Sequence, residues 1–316
     1  MKKRMNRGIA ILLTACMAAA ALAGCGSGSS SSSSAAADSS AEGETAAAAS
    51  GDVETLTLDA IKKKGKLVVA TEAAYEPFEY LDADGTTVIG YNADLFHQIC
   101  DDLGVELVYQ DLPFQGILAG LEAGQYDMVG ATLGITAERA AKYTMTEPIQ
   151  KGTNCLVKRA DDDSIQTIDD MNGKIVGTQT SAYNEDDTRE YDKKLKAEGK
   201  EGFAEIKTYA SYADAYNDLR NGQIDAVAQN YASQAAMVKN HPDTYAFVND
   251  SDGNVAFVAS GDVWVGWAVR KSDTELSDYI NSEIEKFKEN GFLAKEQEKW
   301  FGTTTDLPSD NYIPAE

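Results

Sequence analysis

Two nine-residue stretches, 121–129 and 219–227, carry Leu, Gly, Gln, Asp and Val at the same five places, 98 residues apart. Each reads as a helix end, a glycine cap and the entry into a strand. A helix-to-strand turn used twice constrains the chain more than any other feature. It predicts two α/β lobes of related topology. The flanking patterns agree. Residues 67–70, 105–109 and 127–130 are short apolar runs of strand type, and 174–177 and 204–209 supply the same in the second half. Leu95, Phe96, Ile99, Cys100 and Leu103 fall on one face of a helix over 91–103. Ile117, Leu118 and Leu121 mark a second helix, and 211–221 a third. Strands alternating with helices predict a largely parallel sheet with helices on its faces.

The N-terminus reads as an address rather than as structure. Lys2, Lys3, Arg4 and Arg7 precede a run of mostly Ala, Leu and Ile over 8–23. A charged start, a short apolar stretch and small residues describe a secretory signal, not a spanning helix. The run ends in Leu22, Ala23, Gly24 and Cys25. This resembles the lipobox of bacterial lipoproteins, which implies diacylglycerol on Cys25 and an extracytoplasmic protein anchored to the cell membrane. Residues 26–54 include an unbroken Ser29–Ser34 run and almost no large apolar side chain. Such a segment cannot offset its chain entropy by burial, so it reads as a flexible tether of roughly 30 Å.

Charge excludes several partners. Asp and Glu number 51 against 28 Lys and Arg, for a net −23. That surface repels phosphate backbones and argues against nucleic acid. Two histidines, His97 and His241, and four cysteines disfavour a metal centre, and no metal or cofactor is expected. Cys100 and Cys155 lie in separate elements, and their pairing stays open. The run 250–254 has a hint of a calcium loop but lacks the closing Glu, and reads as a turn. In open α/β sheets ligands sit beyond the carboxyl ends of strands. The residues there are Gly130, Ala131 and Thr132 in one copy and Ala228, Gln229 and Asn230 in the other. They suit a polar ligand, and none is a nucleophile with a base beside it.

Four segments carry a family resemblance: Ala70 to Tyr80, Gly90 to Phe96, Gly134 to Arg139, and Thr146 to Ile149. Together they resemble the extracellular solute-binding proteins of bacterial ABC importers, in the class that carries polar amino acids. The resemblance runs from about Thr57 to Trp300. It implies an α/β two-lobed, periplasmic-binding-protein-like (type II) clamp with two hinge strands. Lobe one is expected over 55–152 plus 261–316 and lobe two over 153–260. It implies a monomer that binds a small molecule and docks on an ABC permease.

The resemblance also implies site roles. Arg139 would clamp the ligand α-carboxylate, since a planar guanidinium pairs a carboxylate with two parallel hydrogen bonds. The backbone N–H groups around Gly134 and at Ser181, Ala182 and Tyr183 would complete that anion site. Tyr75 and Phe114 would sandwich the ligand side chain. Glu72 would meet a cationic side chain, which points to a basic or guanidino amino acid. Two positions depart from the family. Asn230 stands where an Asp usually neutralises the α-ammonium, and Gly134 where a hydroxyl residue is usual. Either Thr132, Asn230 and backbone carbonyls hold the amine, or the ligand is not a standard α-amino acid. Two alternatives to a transport receptor remain: a dehydratase of cyclic amino acid precursors on the same scaffold, and a sensor subunit. An enzyme would need an acid or base in the cleft, and Glu72 is the candidate.

Overall fold

The computed structural model describes residues 53–258 and 263–315. The leader, Cys25 and the tether as far as residue 52 lie outside the described residues. In chain order, the first half runs α1 (Leu58–Lys64), β1 (Lys66–Thr71), β2 (Ala74–Tyr75), β3 (Glu79–Leu81), β4 (Val88–Ile89), α2 (Tyr91–Leu103), β5 (Glu106–Asp111), α3 (Ile117–Glu122), β6 (Met128–Gly134), α4 (Ala137–Lys142), β7 (Tyr143–Met145) and β8 (Gln150–Gly152). The second runs β9 (Asn154–Arg159), β10 (Ile175–Gln179), α5 (Tyr183–Ala197), β11 (Glu205–Tyr209), α6 (Tyr212–Arg220), β12 (Ala226–Asn230), α7 (Tyr231–Asn240) and β13 (Tyr245–Phe247). The chain returns through β14 (Val263–Arg270), α8 (Thr274–Glu289) and α9 (Phe292–Phe301).

Two main sheets result, in the orders β5-β1-β6-β14-β7 and β11-β10-β12-β9-β13, with β8 also on β14. Each sheet sets its first parallel strand between the next two. The repeated turn explains the likeness. Gly124 and Gly222 both adopt φ +68°, a conformation that side chains disfavour. Three residues on, Asp127 Oδ2 accepts the Val68 N–H at 2.7 Å, and Asp225 Oδ2 accepts the Ile175 N–H at 2.7 Å. The same aspartate therefore ties each third strand to the first strand of its own sheet.

The sheets are mixed rather than largely parallel. β14 runs antiparallel to β6, β7 and β8, and β9 antiparallel to β12 and β13. β9 follows β8 across Thr153 alone and so enters its sheet directly from the other one, whereas the parallel strands within each sheet are joined through helices.

Helix α2 buries Leu95, Phe96, Ile99 and Cys100 as its periodicity predicts, and Phe96 packs on Trp267 at 4.1 Å between ring centroids. Its entry is tight. Gly90 has φ +126°, and a Cβ there would lie 2.3 Å from the Phe78 carbonyl oxygen. Only glycine fits, and this contact holds the 77–80 segment against the helix start.

Candidate functional site

Glu72 follows β1, Thr132 and Gly134 end β6, Gln179 ends β10 and Asn230 ends β12. These strand ends meet between the two sheets. Glu72 accepts two hydrogen bonds from Gln179 Nε2, at 3.0 and 2.8 Å, across that divide. Burial raises the Glu72 pKa, and the Gln179 bond opposes the rise. Tyr75 is buried, with Phe78 at 5.7 Å and Tyr212 at 5.6 Å between ring centroids.

Tyr183, at the first turn of α5, crosses from the second sheet to the first. A Cβ on Gly134 would lie 2.6 Å from the Tyr183 Cβ, and one on Gly152 would lie 3.2 Å from its ring. The hydroxyl accepts a 2.8 Å hydrogen bond from Asn230 Nδ2. Both departures from the family pattern therefore touch one side chain. The missing side chain at 134 makes room for the tyrosine, and the amide at 230 donates to it. Asn230 also caps α7, its Oδ1 accepting the Ala232 N–H at 2.8 Å.

Glu79, on β3, is 2% exposed. Its Oε1 accepts the Thr132 N–H at 2.8 Å, and its Oε2 accepts the Thr132 hydroxyl at 2.9 Å and Asn92 Nδ2 at 2.7 Å. Burial pushes its carboxyl up to about 8, against the pull of those hydrogen bonds. Glu72, Tyr75, Glu79, Phe114, Thr132 and Tyr183 enclose a cavity of only about 10 Å³, room for about one water.

Arg139 sits beside this cavity rather than in its wall. Thr136 Oγ1 caps its N–H at 3.2 Å, as the sequence predicts for a helix start. Its guanidinium donates to the Gly134 carbonyl and to the Ser181 carbonyl, both at 2.8 Å. It lines a larger cavity of about 490 Å³ with Thr136, Lys142, Ser181 and Asp186. Phe114 lines both cavities. Desolvation lowers the Arg139 pKa, and Asp186 and Glu138 counter it.

Not every expected residue reaches the site. Ala131 packs in an apolar cluster with Ile117, Leu121 and Val129, and lines neither cavity. The N–H groups of Ser181 and Ala182 already have acceptors: Glu185 Oε2 at 2.9 Å and the Gln179 carbonyl at 3.3 Å. Ser181 has φ +65°, and this left-handed turn aims its N–H at Glu185. Cys100 and Cys155 are both free and buried.

With this geometry in view, the family model for bacterial extracellular solute-binding proteins, family 3, matches residues 67–303. The chain belongs to that family. It is 30% identical to the L-cystine-binding protein of Escherichia coli (strain K12) over 78% of this chain and 86% of the relative. An ancestral arginine-binding protein bound to arginine superposes with a TM-score of 0.65 at 32% identity, covering 75% of this chain and 99% of the other. A second solved structure, an ancestral amino acid-binding protein that is a precursor of cyclohexadienyl dehydratase, gives a TM-score of 0.65 at 28% identity, over 77% and 99%. The two-sheet architecture is thus that of type II amino-acid-binding proteins.

Sequence reasoning about this family 3 protein missed Glu79, Gln179 and Tyr212. Glu79 sits in a Phe-Glu-Tyr run with no apolar alternation to signal burial. Its one available hint was Asn92, an amide where an acid is usual, which donates to it. Gln179 ends β10 of the second sheet and Tyr212 begins α6 beside it, and only the meeting of the sheets gives them a role.

Proposed function

We propose that this family 3 protein is an extracytoplasmic receptor for a polar amino acid, which it delivers to the permease of an ABC importer. The observation that carries the reading is Arg139. Its guanidinium donates to carbonyl oxygens on both sides of the divide, Gly134 and Ser181. A ligand carboxylate would replace those neutral acceptors with a charged one. Charge-assisted hydrogen bonds contribute about 1.5–3 kcal/mol against 0.5–1.5 for neutral ones. The ligand would thereby take over a contact that already joins the two walls.

In this reading the lobes are 55–152 plus 261–316 and 153–260, and they part at the strand ends to admit the ligand. Tyr75 and Phe114 flank the ligand side chain, and Glu72 and Gln179 meet its polar end. Tyr183 moves from its place against Gly134. Thr132 and Asn230 receive the amine. Cys25 carries the lipid that keeps the receptor at the membrane, on the tether 26–54. The site favours a basic or guanidino amino acid, because Glu72 is the acid at the side-chain end.

One observation favours a second reading. Glu79 is a cleft carboxyl with a pKa of about 8, which suits an acid or base working near neutral pH. Isothermal titration calorimetry against the twenty amino acids and cystine, followed by a search for product, separates the two. Reversible heats with the amino acid recovered intact support the receptor. Turnover of a cyclic amino acid precursor supports the dehydratase. Silence across the whole panel contradicts the receptor.

A further inference from the structure

The amine is the weak point of the proposed site, because Asn230 carries no charge and its Oδ1, the atom that can accept from an amine, already accepts the Ala232 N–H of α7. A ligand ammonium drawn into a dry cleft needs an anion. Glu79 is a carboxyl that lines the narrow cavity, and its three hydrogen-bond donors, the Thr132 N–H, the Thr132 hydroxyl and the Asn92 amide, are all neutral. None of them would cancel a negative charge on it.

Thr132 supplies the link. Its hydroxyl has one proton, given to Glu79 at 2.9 Å, and two lone pairs. Asn92 Nδ2 takes one lone pair at 3.2 Å. The other is left for an N–H from the cleft. A hydroxyl that donates to a carboxylate becomes a better acceptor, because the two bonds polarise each other. We infer that Glu79, acting through the Thr132 hydroxyl, provides the negative charge that holds the ligand α-ammonium in place of an acid at position 230. This rests on the receptor reading and assigns one of its contacts.

The titratable groups facing Glu79 are the acid Glu72 and the hydroxyls of Tyr75 and Tyr109. Burial, with a smaller contribution from the like charge on Glu72, holds Glu79 in its protonated form into the neutral range. Arrival of the ammonium reverses this. The neutral carboxyl and the cationic amine become a carboxylate–ammonium pair, and one proton leaves to solvent. Glu79 is a positioning residue here, and amino acid binding is coupled to proton release.

The test titrates native protein and Glu79→Gln with L-arginine, L-cystine and L-histidine, each beside its deaminated analogue. Titrations run at pH 6, 7 and 8, in two buffers of different ionisation enthalpy. Native protein should release close to one proton per amino acid at pH 7. Its affinity should rise about tenfold from pH 6 to pH 7, one pH unit below the Glu79 value. The deaminated analogues should show neither effect. Glu79→Gln should lose tenfold or more for the amino acid while keeping its affinity for the analogue, and its pH profile should be flat. If Glu79→Gln fails to fold, Thr132→Val removes the linking hydroxyl at similar volume and should give the same pattern. Amino acid binding without proton release, or an unchanged preference for amine over analogue in both variants, overturns the inference alone. Native protein that binds none of the three amino acids overturns the receptor reading for these ligands, and the inference with it.

Discussion

Glu79 gives the stability of the free protein a pH-dependent contribution. Its carboxyl holds a proton up to about 8, while an unfolded chain releases it near the ordinary value of 4.5. The folded state therefore binds more protons between these values. Stability falls as pH rises through that window. The sign is opposite to that of a salt-bridged carboxylate, and the cause is burial without a cation. Thermal melts of ligand-free protein from pH 4.5 to pH 8.5 should show this loss, and Glu79→Gln should flatten it. A variant that melts in parallel with native protein across the range would show that Glu79 ionises normally. Gly134 and Tyr183 form the second residue-scale pair. Gly134→Ala forces a Cβ to within 2.6 Å of the tyrosine, and overpacking of this kind costs about 1–3 kcal/mol. The cost should vanish in a Tyr183→Gly background, which removes the Cβ that makes the closest contact, measured as a coupling by denaturant melts. Equal costs in both backgrounds would place the strain elsewhere.

The elements repeat because one turn repeats. Asp127 and Asp225 accept the N–H of an adjacent first strand in their respective sheets, and hydrogen bonds to charged groups contribute about 1.5–3 kcal/mol. Asp127 also pairs with Lys64 Nζ at 2.6 Å. Asp127→Ala and Asp225→Ala should each lower stability by roughly that amount, and together they should add, since the sites lie in different sheets. The turn was legible in the sequence because glycine, aspartate and the flanking apolar residues each mark a backbone position. The helix over 91–103 was legible from its period. The direction of β9 and β14 was not, because an apolar run reads the same in either orientation. The burial of Glu79 was hidden for a different reason. It depends on Gly90 admitting the Phe78 carbonyl, a contact between residues twelve apart that no local pattern announces.

For the whole molecule, the repeat predicted two α/β units, and the two sheets carry them. The site was legible as a set of strand ends but not as a shape. The motif marked Arg139 as a candidate, yet its place beside the narrow cavity depends on Tyr183, which fills the space against Gly134. The lipid address proposed for the N-terminus has its own test. Cys25→Ser should move the protein from the membrane fraction to the soluble fraction, and a variant that still pellets with membranes would remove the lipid anchor. The most direct measurement is the affinity of native protein and Arg139→Ala for L-arginine and L-cystine, with folding checked by circular dichroism. Removing one partner of a desolvated charge pair costs about 2–5 kcal/mol, or roughly 30- to several-thousand-fold in affinity. A loss of that size in a folded variant is the predicted result. Arg139→Ala binding either amino acid as tightly as native protein would contradict a receptor built on that guanidinium.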